Sequence, residues 1–458
     1  MTNISRRTVL RTSFATSLAA CAQPWQWLPA AAAASAAREK LPVAGVVTVY
    51  RKSSHADVIL GKILEGFQQN GGPGPDLQLV SLYVDQKPEG DLSAGLAEKF
   101  GFRLSETIDD ALTFGSDQIQ VKGVLSIAEH GEYPLTPDTQ QDMYPRRRFF
   151  DDITSSFRRC GTSVPVFNDK HLSWRFEDAV HMAATAREMK FPLLAGSSVP
   201  VAWRYPALEL PRDCEIEAAL TVGYGPFEAY GFHAIEAHEC MLERRRGGEA
   251  GVSEVRAVSG PQVKVLGQDG EWSIELLAAA MKTLPGGPRD VAAWEPQENS
   301  AVYLFQHNDG LKSAVIMANG LSDQFVIAVK LKGESAPRAT WFKLQEAAPH
   351  AHFAYLLHAF EETIHSGAAV YPVERTVLTT GMMDRVMQSL SKGGATLKTP
   401  ELTVPYEPVD WPYANHPQSF QLFPSDLRVI KRRSQSRAGP DSRKSAAVRR
   451  VGLSSVSH

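Results

Sequence analysis

Two segments of the sequence combine residues that could move a proton on a substrate. Lys170 follows a predicted strand at 163–167, and a lysine at a strand end inside a cleft can act as acid or base. A structural ion pair of Lys170 with Asp169 or with another acid is the alternative. His233 and Glu236 are three residues apart on a predicted helix and share one face. An imidazole oriented by a carboxylate suits proton transfer near neutral pH, and a buried structural histidine is the alternative.

A second group of residues lies at strand ends where a phosphate-bearing ligand would bind. The segment between the first predicted strand and helix carries cations and hydroxyls, which could face a pyrophosphate at the helix N-terminus. The glycine fingerprint of dinucleotide sites is absent there, so an ordinary capped helix start is the alternative. An acid that ends the second strand could bind a ribose hydroxyl, or could be a turn residue. The residues predicted at a cofactor are Arg51, Lys52, Ser53, Ser54, His55, Asp85, Glu129 and His130.

The loop 129–133 concentrates two acids, an imidazole and a phenol at the edge of the same crevice. Loop positions that hold such groups are often functional, and a solvated loop is the alternative. The run Arg146–Arg148 is interpreted as a solvated helix start rather than an anion clamp. No metal site is predicted, because His233 and His238 are five residues apart and so leave one helix face.

The elements that must position these residues fall into two predicted domains. Strands and helices alternate over 41–200, which predicts a Rossmann-like, doubly wound parallel sheet in an α/β fold. Such a sheet binds ligands at the carboxyl ends of its strands. Over 201–405, longer strands and hairpin turns such as 308–310 predict an α+β domain with a largely antiparallel open sheet. One of its strands is predicted over 254–266.

The net charge of −3 over 458 residues hides an uneven distribution. Residues 1–37 contain three arginines and no acid, and the tail 431–458 contains eight bases and one acid. The remainder therefore holds 37 bases and 50 acids, which argues against nucleic acid as a partner. The tail lacks periodic apolar residues and is predicted to be disordered, after a C-terminal extension at 406–430.

The N-terminal segment has the features of an export signal. Arg6 and Arg7 form a twin-arginine pattern, and Ala34-Ser35-Ala36 within an alanine-rich run provides a cleavage site. The segment 1–37 is therefore predicted to direct export, which places the protein in the periplasm or at the envelope. A lipid anchor on Cys21 is a second interpretation, since Leu18-Ala19-Ala20-Cys21 resembles a lipobox. No later stretch is long and apolar enough for a transmembrane helix.

Several short motifs resemble those of the Gfo/Idh/MocA oxidoreductases, in the exported branch typical of planctomycetes. The resemblance covers about 41–405. In that family a lysine near the nicotinamide corresponds to Lys170, although the proline that usually follows is replaced. The catalytic histidine corresponds to His233, Ala229 stands where an aspartate is usual, and Glu228 one step away could substitute. The motifs are Ser54-His55-Ala56-Asp57, Glu129-His130-Gly131, Val166-Phe167-Asn168-Asp169-Lys170-His171, Ala195-Gly196-Ser197-Ser198 and Tyr230-Gly231-Phe232-His233-Ala234-Ile235-Glu236.

The resemblance implies an NAD- or NADP-dependent oxidoreductase that acts on a sugar or polyol and forms a homo-oligomer. Lys170 would polarise the substrate hydroxyl and His233 would accept its proton, with the cofactor tightly held. Asp85 favours NAD, because a carboxylate repels a 2′-phosphate, and Lys87 weakens that preference. Two alternatives remain: a non-catalytic carbohydrate-binding or scaffold protein, and an NAD-dependent glycosidase without net redox change.

Overall fold

The first half of the chain forms a six-stranded parallel sheet with helices on both faces. The structure is a computed structural model that describes residues 38–286, 289–420 and 422. The strands are β1 (Leu41–Val47), β2 (Leu77–Val84), β3 (Arg103–Ser105), β4 (Gly123–Ile127), β5 (Val166–Asp169) and β6 (Leu193–Gly196). The helices are α1 (His55–Glu65), α2 (Ser93–Phe100), α3 (Ile108–Thr113), α4 (Arg146–Cys160) and α5 (Phe176–Glu188).

The strand order is β3-β2-β1-β4-β5-β6, so the direction of winding reverses between β1 and β4. The predicted Rossmann-like sheet is thus confirmed. From Val43 onward β1 is wholly buried, as is all of β4, because helices cover both faces of the sheet. The reversal opens a crevice beyond the carboxyl ends of β1, β4 and β5, which is where the predicted site residues lie.

The second half forms an eight-stranded mixed sheet in the order β14-β9-β10-β11-β8-β12-β13-β7. All neighbours are antiparallel except β8 and β11, which confirms a largely antiparallel sheet. The strands are β7 (Trp203–Tyr205), β8 (Ile216–Gly223), β9 (Val252–Ser259), β10 (Ala301–His307), β11 (Lys312–Met317), β12 (Phe325–Leu331), β13 (Arg338–Lys343) and β14 (Leu397–Lys398). The helices are α6 (Ala229–Leu242), α7 (Gln262–Gln268), α8 (Ile274–Met281), α9 (His352–Ser366) and α10 (Glu374–Ser391).

The predicted long strand at 254–266 is wrong in its second half. The strand β9 ends at Ser259, and Gly260 follows with a positive φ of 73°. Pro261 has no N–H for a strand ladder, so the chain turns there and continues as α7. The buried Val263 packs in the core from a helix instead of from a strand.

The helices α6, α9 and α10 pack their apolar residues against the two sheets and against neighbouring helices. α6 packs on β8, and α10 packs on α6, on β9 and on α5 of the parallel sheet. α9 covers the parallel sheet beside α1, where Phe360 contacts Phe167. The crevice at the strand ends is therefore enclosed by residues from both halves of the chain.

The predicted export signal, the possible anchor at Cys21 and the predicted disordered tail at 431–458 lie outside the described residues. Of the predicted extension at 406–430, residues 406–420 and 422 are described. Among the helices of the described part, none has the length and apolar character needed to cross a membrane.

Candidate functional site

A cavity of about 530 Å³ lies between the carboxyl edge of the parallel sheet and the start of α6 and β12. Of the predicted catalytic residues, it brings together Lys170 and His233. Of the predicted cofactor residues, Ser53, His55, Glu129 and His130 also line it, whereas Arg51, Lys52, Ser54 and Asp85 do not. The remaining lining residues are Val58, Tyr144, Ser198, Val199, Tyr224, Ala229, Tyr230, Phe325, Leu344, Glu346, His350, His352 and Phe353.

A buried carboxylate joins two cations at the base of the cavity. Glu129 Oε1 accepts a hydrogen bond from Lys170 Nζ at 2.6 Å, and Oε2 accepts one from Arg146 Nη2 at 2.6 Å. Burial alone would raise the pKa of Glu129, but the charges of Lys170 and Arg146 hold it well below its usual range. Lys170 thus forms an ion pair with another acid, Glu129, as in the structural alternative, and not with its sequence neighbour Asp169. The pair fixes its ammonium at the cavity wall.

The interpretation of the arginine run as a solvated helix start is wrong for Arg146. Its surface is fully buried, and its side chain enters the site from the first residue of α4. Arg147 pairs with acids on the helix surface, and Arg148 pairs with Asp85. Three adjacent residues point in three directions along a helix, so only one of them faces the sheet.

Behind this cluster lies a second pair of titratable groups. Arg146 Nη1 donates to His171 Nε2 at 2.9 Å, so that nitrogen is an acceptor and the imidazole is neutral. Burial, with the nearby Arg146, lowers the pKa of His171 well below its usual range. Glu228 lies 3.8 Å from the same nitrogen and accepts hydrogen bonds from Gln141 Nε2 and the Asp142 N–H. Burial raises the pKa of Glu228 to about 7.

The structure does not place Glu228 in the position of the missing catalytic aspartate. Its carboxylate turns toward the 141–142 segment, while the next residue, Ala229, lines the cavity. The backbone turns into α6 between these two residues, so their side chains leave in different directions. A direct contact of Glu228 with a substrate in the cavity is therefore not supported.

His233 is oriented by a serine and not by the predicted carboxylate. Its Nδ1 forms a 2.6 Å hydrogen bond with Ser197 Oγ. Glu236 is only 1% exposed and accepts hydrogen bonds from the Ser197 N–H at 3.2 Å and from Thr379 Oγ1 at 2.5 Å. The predicted pairing of His233 with Glu236 is therefore wrong, because Glu236 turns into the core and reaches His233 only through Ser197. Burial lowers the pKa of His233 well below its usual range.

His55 has the carboxylate partner that was predicted for His233. Its Nδ1 lies 2.5 Å from Oδ2 of Asp169, which is the last residue of β5. Its ring meets the rings of His130 and Phe353 edge-on, at centroid distances of 5.5 and 5.0 Å. The contact with Asp169 fixes the Nδ1 side of the imidazole, and the ring faces the cavity.

Three residues of the cavity wall have the left-handed backbone conformation that is unusual outside glycine. Ser53, His130 and Lys170 have φ values of 61°, 70° and 62°. Each belongs to the segment that follows the carboxyl end of β1, β4 or β5. Such conformations cost roughly 1 kcal/mol or more each and persist where the surroundings impose them, often at functional sites.

Two histidines that sequence analysis missed lie at the start of α9: His352 is its first residue, and His350 is two residues earlier. His350 and His352 line the cavity although they are about 180 residues from Lys170 in the sequence. His352 Nδ1 and His130 Nε2 are buried and have no hydrogen-bond partner among the described residues. Burial lowers the pKa of His130 to about 4 and that of His352 to about 3, so both rings are neutral at neutral pH. Within the described ranges, no three His, Cys, Asp or Glu residues are grouped so as to hold a metal ion.

The start of α1, where a pyrophosphate would bind, is capped by the chain itself. Ser54 Oγ accepts from the Asp57 N–H, and Asp57 Oδ2 accepts from the Ser53 N–H at 2.8 Å. Lys52 Nζ lies 3.2 Å from the same carboxylate, and Arg51 is exposed. The capped helix start is thus what the structure shows at this position, with one carboxylate beside the predicted phosphate-binding cations.

The predicted ribose-binding acid is also engaged. Asp85 accepts hydrogen bonds from the hydroxyls of Tyr83 and Tyr133 and two from Arg148, all at 2.7 Å. Burial would raise the pKa of Asp85, but the hydrogen bonds from Arg148 and the tyrosines lower it. Next to it, the Gln86 amide both donates to and accepts from the backbone of Glu132, at 2.9 Å each. The 129–133 segment is thereby held over the ends of β1 and β2.

The resemblance found in the sequence predicts a nicotinamide dinucleotide, and the polar groups of the cavity can be compared with the reactive end of such a cofactor. The cavity offers the Lys170 ammonium and the unpartnered His130 Nε2 as polar contacts for a nicotinamide ribose or carboxamide. At the adenosine end, Asp85 and the 129–133 segment would have to exchange their internal hydrogen bonds for contacts with the ligand.

The structure resembles those of known dehydrogenases. A probable dehydrogenase from Thermotoga maritima superposes with a TM-score of 0.50 at 12% identity, covering 79% of this chain and 99% of that one. GenD2 from gentamicin A biosynthesis, in complex with NAD, gives 0.49 at 14% identity, over 80% and 97% of the chains. Scyllo-inositol dehydrogenase from Lactobacillus casei, with bound NAD(H) and scyllo-inositol, gives 0.48 at 11% identity, over 79% and 99%.

No family model and no curated protein matches the amino-acid sequence. The likeness to the Thermotoga maritima dehydrogenase, over 79% of this chain, agrees with the fold class predicted from the sequence, a Rossmann-like parallel sheet followed by a largely antiparallel one. At 12% identity this likeness establishes the fold, and the chemistry has to be argued from the cavity.

Proposed function

We propose that the chain is an oxidoreductase that oxidises a hydroxyl of a sugar or polyol with NAD or NADP held tightly in the cavity. The observation that carries this proposal is the convergence of Lys170 and His233 on one cavity, from the carboxyl edge of the parallel sheet and from α6. One is a cation fixed by a buried carboxylate, and the other is a neutral imidazole fixed by a serine. An imidazole can accept the hydroxyl proton of an alcohol, and a cation can stabilise the negative charge that develops on its oxygen, while a bound nicotinamide would accept the hydride.

In this proposal each group has a separate role. The Lys170 ammonium uses one N–H on Glu129 and has two more to donate to the substrate oxygen, which polarises the C–O bond. The neutral His233 imidazole accepts the hydroxyl proton, and Ser197 positions the ring. The bound nicotinamide supplies the hydride acceptor. The substrate carbon then loses a hydride and its oxygen loses a proton, which leaves a carbonyl.

Export and assembly are part of the proposal. The twin-arginine pattern of the first 37 residues supports transport of a folded chain with its cofactor inside. Replacement of both Arg6 and Arg7 by lysine is expected to retain the protein in the cytoplasm, as measured by cell fractionation. We also propose a homo-oligomer, which native mass spectrometry of the secreted protein would detect as a multiple of the chain mass.

Cofactor content tests the oxidoreductase directly. Native mass spectrometry of protein purified from an exporting host is expected to show a co-purifying dinucleotide, and calorimetry is expected to show NAD(H) or NADP(H) binding.

Lys170→Arg keeps a positive charge beside Glu129 but moves the donors, and should reduce kcat by about 100-fold or more. His233→Asn should cause a similar loss. Absence of dinucleotide binding by both methods would overturn the proposal.

A non-catalytic carbohydrate-binding protein is the second candidate, and a specific observation favours it. The carboxylates of Asp57 and Asp85 and the pinned 129–133 segment occupy the places where the pyrophosphate and the adenosine ribose would bind. Sugar binding in calorimetry, without dinucleotide binding or turnover, would support this candidate. Cleavage of a glycoside that needs NAD but leaves no NADH would instead identify the glycosidase alternative.

A further inference from the structure

We propose that the cavity takes a glycoside of at least two sugar rings, with the second pyranose ring bound on an aromatic platform formed by Tyr224, Tyr230 and Phe325. This inference rests on the proposed function for the ring that reacts, and it adds the class of substrate. It assigns binding to three aromatic residues that the chemistry of Lys170 and His233 leaves unused.

The three rings contact one another and line the cavity. Tyr230 stacks on Phe325 with an interplanar angle of 22° and a centroid distance of 6.3 Å. Tyr224 meets Tyr230 at 5.1 Å and Phe325 at 5.0 Å. Phe325 is buried, whereas Tyr230 remains 37% exposed and so can contact a ligand in the cavity. The platform therefore presents an accessible ring on a rigid base.

The local backbone is built to hold Tyr230 in this position. Gly225, two residues after the end of β8, has a φ of 81°, and a Cβ at that residue would lie 2.8 Å from the Tyr230 ring. Gly225 also exchanges hydrogen bonds with the side chain of Asn319, which fixes the turn. A bulkier residue at 225 would displace the tyrosine, so the ring is placed by the fold.

The chemistry of the platform and its rim matches a pyranose ring. Such a ring has one face of C–H groups, which packs on the electron-rich face of an aromatic ring, and an edge of hydroxyls. The exposed Glu346 lies at the rim and accepts a hydrogen bond from Tyr224 Oη at 2.5 Å. The carboxylate of Glu346 and the imidazole of His350 supply hydroxyl-binding groups next to the apolar surface. A purely apolar ligand would leave these polar groups unsatisfied.

The platform is adjacent to the reacting position and distinct from it. The ring centroids of Tyr230 and His233 are 6.0 Å apart and the rings are perpendicular. One sugar ring at His233 and a second on Tyr230 would therefore be neighbours, as in a disaccharide. A monosaccharide at His233 would leave the platform exposed to water.

Calorimetry on the full chain without added cofactor tests this inference. The probes are glucose and galactose against cellobiose, maltose, lactose and trehalose. At least one disaccharide is expected to bind about tenfold more tightly than either monosaccharide, since one aromatic contact contributes on the order of a tenfold change in affinity. Tyr230→Ala should abolish that difference, and Tyr230→Phe, which keeps the ring, should preserve it.

Three results would overturn the inference. The first is equal affinity for monosaccharides and all four disaccharides. The second is a disaccharide preference that survives in Tyr230→Ala. The third is a phenyl glucoside that binds as tightly as the best disaccharide, with an affinity that Glu346→Gln leaves unchanged. That result would indicate that the platform binds an apolar aglycone and not a second sugar ring. A failure of the oxidoreductase proposal is visible separately, as the absence of dinucleotide binding and of turnover, and leaves these sugar affinities unaffected.

Discussion

At the scale of single residues, the site depends on how buried charges are compensated. Glu129 is the common partner of Lys170, which follows β5, and of Arg146, which begins α4. In a low-dielectric interior, a buried cation without a counter-charge is strongly destabilising, and Glu129 supplies the counter-charge for Lys170. Glu129 is therefore better described as a positioning residue for Lys170 than as the cofactor ligand that was predicted.

We expect Glu129→Gln to destabilise the protein strongly. The change leaves Lys170 and Arg146 buried without a counter-charge, which should lower the free energy of unfolding by about 3–5 kcal/mol in urea denaturation. Glu65→Gln is the matched control, because its pair with Lys99 is solvent-exposed and should cost less than about 1 kcal/mol. Equal effects of the two substitutions would contradict this account of the cluster.

Deprotonation of Glu228 should lower the free energy of unfolding as the pH rises. Burial raises its pKa from 4.5 to about 7, so the native state binds this proton more tightly than the unfolded chain. The resulting stabilisation is fully present below about pH 4.5 and is lost as the pH rises through about 7, by about 3 kcal/mol at most.

The Glu228→Gln variant isolates this effect, because glutamine resembles the protonated acid. Its free energy of unfolding relative to wild type is expected to increase between about pH 4.5 and pH 8. Glu89→Gln, at an exposed position, should show no such trend. A pH-independent difference for Glu228→Gln would mean that burial does not raise the pKa of Glu228 above its value in the unfolded chain.

At the scale of elements, hydrogen bonds hold the segment 129–133 at the strand ends where the adenosine of the proposed dinucleotide would bind. It connects the cavity to the β2 end through Tyr133 on Asp85 and through the paired hydrogen bonds of Gln86 and Glu132. The segment leaves β4 in the left-handed conformation of His130, and Gly131 continues it with a φ of 100°. These contacts compete with a dinucleotide for the same strand ends.

We expect Gln86→Ala to raise dinucleotide affinity. Loss of the two hydrogen bonds to Glu132 lowers the cost of moving the segment, by about 1 kcal/mol for each bond, so Kd should fall roughly five- to thirtyfold. Calorimetry with NAD(H) and NADP(H) measures this, with the exposed Gln118→Ala as control. Weaker binding in Gln86→Ala would show that the segment has its binding conformation already.

At the scale of the whole molecule, one buried carboxylate ties the parallel sheet to the helices that carry the second sheet. Glu236 of α6 accepts hydrogen bonds from the Ser197 N–H after β6 and from Thr379 of α10. Burial raises the pKa of Glu236. Gly196 lies against it with a φ of 122°, and a Cβ there would be 2.6 Å from Glu236 Oε2.

We expect Gly196→Ala to weaken the connection between the two halves. The methyl group would displace Glu236 and strain the backbone, and should lower the free energy of unfolding by about 2–4 kcal/mol. Gly161→Ala is the matched control: Gly161 has a φ of 63°, and a Cβ added there would have no atom within 4 Å. This variant has the backbone strain alone, and its free energy of unfolding should fall by about 1 kcal/mol. Thermal unfolding of both variants measures the difference, and similar losses would remove the role assigned to Glu236.

The sequence by itself determined the fold class and the location of the crevice. Alternating strands and helices are encoded by local periodicity, and parallel strands all end at one edge, so Lys170, His55 and Glu129 could be placed near each other without coordinates. The motif that contains His233 also led to the cavity. These features depend on short stretches of chain, which sequence patterns record.

Only the tertiary structure decided which partners each residue has. In the structure Arg146 is buried, and Asp85 is paired with Arg148. His352 lines the cavity although it is about 180 residues from Lys170 in the sequence. The structure also places Ser197 between His233 and the core. The physical reason is that hydrogen bonds and ion pairs are set by distances of about 3 Å between distant segments, which no local pattern specifies.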